Sequence, residues 1–234
     1  MSLIETIVVL AVVATLAAIA LPTLRGVRDR AWDAKSLSNA RTHTLNMLAY
    51  TSDWRGMFPY FAEPREGTTL LEGGGFSVEV EYFSLYAFWH LPMIDGYYGG
   101  SVDPALFHSP FEKGSGAITR YGYSMSFIAD PSFWNPATRT YTFDQLRPTG
   151  GHEVVWPAEK GLITDTTPLF PPLAEISRNA LYTPVGFVDG STRNALLHDL
   201  TLPYPNGNGF WLGGVLFGVR IIHTIDGVRG RDLR

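Results

Sequence analysis

From Thr6 to Leu24 the chain reads TIVVLAVVATLAAIALPTL, with no charged residue, and one acid, Glu5, stands immediately before it. The run is close to the roughly 20 residues that a membrane-crossing helix needs. Beyond Pro22 the pattern changes. In RGVRDRAWDAKSLSNARTHTLNMLAYTSDW, residues Val27, Ala31, Ala34, Leu37, Ala40 (or Arg41), Thr44 and Leu48 recur at three- and four-residue steps, the stripe of an amphipathic helix. The two patterns predict one helix from near Ser2 to about Thr51, roughly 75 Å at 1.5 Å per residue. Its first half is apolar all round and must lie in lipid or among other helices. Pro22 lacks an N–H and crowds the preceding turn, so a kink or local melting is expected there. Gly56 and Pro59 end the helix.

Downstream, apolar, aromatic and β-branched stretches at Phe76–Leu85, Thr140–Phe143, Glu153–Trp156, Gly161–Thr164 and Pro184–Val188 predict short strands. Asp189-Gly190 predicts a hairpin turn. Ser84–Leu91 and Pro168–Ile176 suit short helices, and Trp211–His223 a closing strand pair. Glu63–Gly75 and Tyr204–Gly209 read as exposed loops. The expected fold class is α+β: a long N-terminal helix whose second half packs on an antiparallel sheet. The organisation is an apolar half-helix over 1–24, an amphipathic half-helix over 25–55 and a β-rich head over 56–234.

Composition narrows the function. Hydrophobic residues make up 45% and charged residues only 17%, so a sizeable core is available but the surface is sparsely charged. A net charge of -4 without a Lys/Arg cluster argues against a nucleic-acid partner. The absence of Cys excludes disulfides, thiolate metal sites and a Cys nucleophile. The six histidines form no HExxH motif; His198 with Asp199, and His223 with Asp226, suit local pairs. Asp95, Asp103 and Asp189 are loop acids that could serve Ca²⁺, but no loop has regularly spaced oxygen ligands, so no metal and no cofactor is expected. No nucleophile elbow or phosphate-cradling loop is present, and an enzyme is not expected.

An ionised carboxylate in hydrocarbon costs about 2.5 kcal/mol or more. Glu5 therefore calls for a cation, and the nearest candidate is the amino terminus of another copy of the chain. A secretory signal peptide would carry basic residues before the apolar run; here an acid takes their place. Arg25, Arg28 and Arg30 would sit just outside a membrane.

Met1-Ser2-Leu3-Ile4-Glu5 with Pro22 resembles the mature N-terminus of type IV pilins and type II secretion pseudopilins. Later blocks are similar, in order, to planctomycete-type pilin-like proteins: Tyr50–Pro59, Phe107-His108-Ser109-Pro110 (with Ser109 in place of a Cys), Arg120–Ser124, Pro157–Asp165 and Val185–Arg193. A His of that pattern is Asn179 here. The resemblance implies that a prepilin peptidase has removed a leader before Met1 and methylated its amino group. It implies that Glu5 sets subunit register and that Pro22 is the helix kink or melting point. The chain would wait in the inner membrane and then polymerise with itself, through the pilus assembly machinery, into a cell-surface filament. A type II secretion pseudopilin is the nearest alternative. A membrane-anchored periplasmic binding module that never polymerises is a more distant one.

Overall fold

The computed structural model describes residues 2–65, 67–110, 118–140, 142–169, 181–204, 210–212 and 215–233. The fold is α+β, with one long N-terminal helix and antiparallel sheets. Helix α1 runs over Leu3–Asp53, 51 residues, continuous through Pro22. The chain divides into two compact units, Met1–Lys35 and Ser36–Arg234.

In the first unit every large aliphatic side chain described from Leu3 to Leu24 is exposed, and Leu3 is 79% exposed. This helix is long and apolar enough to cross a membrane, and none of its most apolar stretch is buried within the chain. The guanidinium of Arg28 lies 4.7 Å from the centre of the Trp32 ring, a cation–π contact within one helical turn.

In the second unit α1 buries Ser36, Asn39, Ala40, His43, Thr44, Met47 and Tyr50, the three- and four-residue spacing of one helix face. Only Ala40 and Thr44 belong to the expected stripe. Leu37 and Leu48 are half-buried, and Val27, Ala31 and Ala34 are exposed. The reason is that the buried face is largely polar, and each of its polar residues is satisfied. Ser36 Oγ donates to Asp165 (2.8 Å), Asn39 Nδ2 to the Ala105 carbonyl (2.9 Å) and Thr44 Oγ1 to the Ala40 carbonyl (2.7 Å).

A four-stranded antiparallel sheet is ordered β3-β4-β5-β6, with β3 Tyr121–Tyr123, β4 Gly161–Asp165, β5 Tyr182–Phe187 and β6 Thr192–Leu196. Strand β4 is buried along its whole length, which fits its position inside the sheet. Helix and sheet meet closely at Gly186, where a Cβ would stand 1.7 Å from Thr44 Oγ1. Beyond the strand ends the Phe187 N–H donates to the Ser191 carbonyl (2.9 Å), which leaves Val188-Asp189-Gly190 as the loop between β5 and β6. The Gly190 N–H donates to the Phe187 carbonyl (3.0 Å) and Gly190 adopts φ +85, a three-residue hairpin with glycine in the left-handed position.

Several expectations are corrected. Glu63–Gly75 is not a plain loop: β1 Thr68–Gly73 pairs with β2 Phe76–Glu81. Gly74 (φ 56) and Gly75 (φ 83) form the turn, and two successive positive φ values are what a type I′ turn requires. Glu153–Trp156 is not a strand, because Gly151–Glu153 forms a 3-10 turn. Thr140–Phe143 has no strand among its described residues, and Phe143 starts a 3-10 turn. Ser84–Leu91 is helical as expected, through α2 Leu85–Phe88 and flanking 3-10 turns. Two further short helices follow, α3 Ile94–Tyr97 and α4 Pro104–Phe107. Pro168 lies in a 3-10 turn, but residues 170–180 and 205–209 lie outside the described residues. The strand pair expected over Trp211–His223 is present and short among the described residues, β7 Phe210–Leu212 with β8 Val215–Phe217. The core is strongly aromatic, centred on Trp89, Trp134, Tyr121, Tyr123, Phe58, Phe107 and Phe127.

Helix α1 closes with Arg55 at φ 57, and the Gly56 N–H donates to the Thr51 carbonyl (2.8 Å). That is a Schellman closure with arginine in the left-handed position where glycine is preferred. We predict that Arg55→Gly raises the stability of the detergent-solubilised protein by about 0.5–1 kcal/mol. The check is the thermal unfolding midpoint; an unchanged or lower midpoint would show that the Arg55 side chain compensates for the strain.

Candidate functional site

At the N-terminal end, Glu5 has a partner within its own chain. Its Oε2 accepts from the Ser2 N–H (2.7 Å), and Ser2 Oγ accepts from the Glu5 N–H (3.3 Å). This reciprocal pair is a capping box that satisfies two otherwise orphaned donors. It also puts an acid in the first turn, where the helix dipole favours one. Met1 lies outside the described residues, so the expected amino-group partner is not part of this geometry. Pro22 lies within α1, and its missing N–H is a gap in that helix's hydrogen-bond ladder. The structure therefore places Glu5 and Pro22 on one helix; the exposed aliphatic residues between them form the only candidate surface the sequence singled out.

The head holds polar centres that sequence reasoning missed. Asp165, at the end of β4, is completely buried. Its Oδ2 accepts from Ser36 Oγ (2.8 Å) and Ser109 Oγ (2.7 Å), and its Oδ1 accepts from the Thr167 N–H (3.0 Å). Burial pushes its carboxyl above the ordinary range, and these donors pull against that push. Ser109 is the residue that replaces a Cys in the block resemblance, and here it serves this carboxylate. A hydrogen bond from Ser36 thus ties α1 to β4.

Four histidines are buried, and for His43, His90 and His223 burial favours the neutral ring. His43 Nε2 donates to the Leu106 carbonyl (3.1 Å), and its Nδ1 accepts from the Tyr98 hydroxyl (3.0 Å). Its ring sits 4.8 Å from Tyr121 and 5.0 Å from Phe107, centre to centre. His90 is fully buried 4.7 Å from the Phe107 ring, and both its nitrogens lack a hydrogen-bond partner. His223 does not pair with Asp226: its Nδ1 accepts from the Val219 N–H (2.8 Å), while Asp226 Oδ1 accepts from Asn135 (2.7 Å). Burial lowers all three imidazoles to about 3. The exposed His198–Asp199 pair forms as expected (3.2 Å).

Two of the loop acids have local backbone roles. Asp103 caps α4 through the Ala105 N–H (2.9 Å), and Asp189 accepts from the Ser191 N–H (2.9 Å) and hydroxyl (2.6 Å). Among the described residues no three His, Asp or Glu side chains gather as a metal-ligand group. A last centre, the buried Lys160–Asp232 pair, joins β4 to the C-terminal segment. No local signal marks it, because a lysine after a turn and an acid near the chain end both read as solvated. Compared with protein-family models, curated proteins and solved structures, the chain matches none.

The buried histidines set a pH dependence. Each has a folded value near 3 and an unfolded value near 6.5. The unfolded chain therefore binds more protons between those limits. Their contribution to stability is complete above about pH 6.5 and is lost as pH falls. Glu153, held down by hydrogen bonds from Arg147, loses its contribution in the same direction, whereas Asp165, pushed up by burial, opposes it. The expected outcome is a thermal midpoint that is flat above pH 7 and falls steadily from pH 6.5 to 5. His43→Gln should lessen the slope; a midpoint independent of pH over that range would refute the assignment.

Proposed function

We propose that this chain is the structural subunit of a type IV pilus-like filament, held in the membrane by its N-terminal helix before assembly and polymerised through the same helix afterwards. One observation carries the reading: none of the residues in the most apolar stretch of α1 is buried in its own chain. An apolar surface of that length is stable only against lipid or other apolar helices. A plain anchor needs only lipid. Glu5 at the entrance to the apolar run, in register with the prepilin-type N-terminus, is what favours helices as the second environment.

In this reading the apolar half-helices bundle at the filament axis and the heads form the outer layer. Apolar burial supplies affinity. Glu5 supplies register, by exchanging its Ser2 N–H for the amino terminus of a neighbouring copy. A charge in a dry interface is tolerated when its partner is held beside it and is costly when the partner is missing, so one pairing selects one stagger. Pro22, with its missing hydrogen bond, is the point where the helix yields during packing. Prepilin peptidase and the assembly machinery are the implied partners.

Glu5→Ala separates filament subunit from anchor. The variant should reach the membrane at least as well as the wild type, since a charge has been removed from the edge of the apolar run. It should be lost from the sheared surface fraction, as judged by immunoblot and electron microscopy. Filaments at wild-type abundance from Glu5→Ala would defeat the proposal, as would a wild-type protein that forms no fibres when overproduced.

A further inference from the structure

Lys160 and Asp232 meet in the dry interior of the head, their side chains 0% and 1% exposed. Lys160 Nζ donates to Asp232 Oδ2 (2.6 Å), to Ser126 Oγ (3.1 Å) and to Thr224 Oγ1. The Thr224 hydroxyl in turn donates to Asp232 Oδ1 (2.6 Å), so it bridges the amine and the far carboxyl oxygen. The Gly161 N–H donates to Oδ2 (2.9 Å). The Phe127 ring centre stands 5.5 Å from Nζ. The backbone pins both partners: the Lys160 N–H donates to the Trp156 carbonyl (2.8 Å) and the Asp232 N–H to the Glu159 carbonyl (2.9 Å).

The loop that delivers Thr224 is strained. It is closed by the His223 N–H on the Val219 carbonyl (2.9 Å), and within it Ile221 takes φ 71. A β-branched residue in that region is an outlier, and such strain gathers where a geometry is imposed for a purpose. The chain also contains no Cys, so no disulfide secures its C-terminal segment.

We propose that Lys160 and Asp232 condense in the folded head into an intramolecular amide, an isopeptide bond, with Thr224 relaying the proton. The amine attacks Cγ, and the Nζ–Cγ bond forms. The Gly161 N–H steadies the negative charge that develops on Oδ2. Two protons pass from Nζ through the Thr224 hydroxyl to Oδ1, the first before attack, giving the neutral amine and acid, and the second after it; the Cγ–Oδ1 bond then breaks and Oδ1 leaves as water. Overall an ammonium and a carboxylate become an amide and one water, with no oxidation or reduction.

Two physical factors favour this over a permanent ion pair. In water the charged forms are well solvated and condensation is disfavoured; in this interior burial lowers the lysine and raises the aspartic acid, which promotes the neutral, reactive pair. The fixed geometry supplies an effective concentration of about 10⁵–10⁸ M for well-aligned groups. The product closes the chain from β4 to the C-terminal segment in a way that no thiol chemistry can open. This inference is independent of the filament reading.

The test is mass spectrometry of the full chain, purified in detergent and denatured. The expected mass is lower by one water than that of the same chain uncondensed. Trypsin should fail to cut after Lys160, and the Asp232-Leu233-Arg234 peptide should be recovered branched onto the Lys160 peptide. Lys160→Arg should restore the missing water, and Asp232→Asn should condense with loss of ammonia instead. Cleavage after Lys160 with a free Asp232–Arg234 peptide from folded wild-type protein overturns the proposal. So does a water loss that persists in Lys160→Arg.

Discussion

A single helix in this chain faces two different demands from its surroundings, and the rest of the molecule follows from that. From Leu3 to Val27 its described large aliphatic residues are exposed; from Ser36 onward it buries one face in the head. The helix is assigned without a break through both parts, Pro22 included, so its backbone does not mark the change. What changes is the side-chain surface: all-round aliphatic in one part, a polar stripe with matched partners in the other. The first is stable only where water is excluded by something other than this chain; the second is specific because its polar groups have few acceptable positions.

The head shows what that specificity consists of. Ser36 reaches Asp165, which also takes Ser109, while Asn39 and His43 cap carbonyls of the Ala105–Leu106 segment. A buried acceptor left without any donor would cost about 1–3 kcal/mol, and Asp165 is guarded against that by two hydroxyls on one oxygen. Aromatic rings fill the space around these contacts, with His43 enclosed by Trp89, Phe107 and Tyr121. An aromatic core with a few fully paired polar groups fixes one arrangement of helix on sheet without any disulfide.

The long helix was legible in the sequence because its signals extend over many residues: an uncharged run, a sustained three- and four-residue period, and a glycine at the end. Strands β4 and β5 and the Gly190 hairpin were legible for the same kind of reason, as β-branched runs next to turn residues. The buried face of α1 was misread by about one position, because an apolar-only stripe passes over Ser36, Asn39 and His43, whose partners are some 60 to 130 residues away. The Gly73–Gly75 run was read as loop, although successive glycines are equally the mark of a tight hairpin. Strand β3 is only three residues long, too short for alternation to show. Of the site residues, Glu5 and Pro22 stood out by contrast with their neighbours. Asp165, Lys160 and Asp232 looked like ordinary surface charges, and only the fold brings their partners to them.

The Ser2–Glu5 capping box bears on how an apolar helix can change company. A carboxylate already held by its own first turn keeps a hydrogen bond wherever its helix lies, so a neighbour's ammonium adds only the neutralisation of its charge. In the proposed filament the pairing would then offset the cost of the buried charge at one position only, leaving the aliphatic surface to supply the driving force. A contact of that kind discriminates strongly between positions yet holds weakly in each.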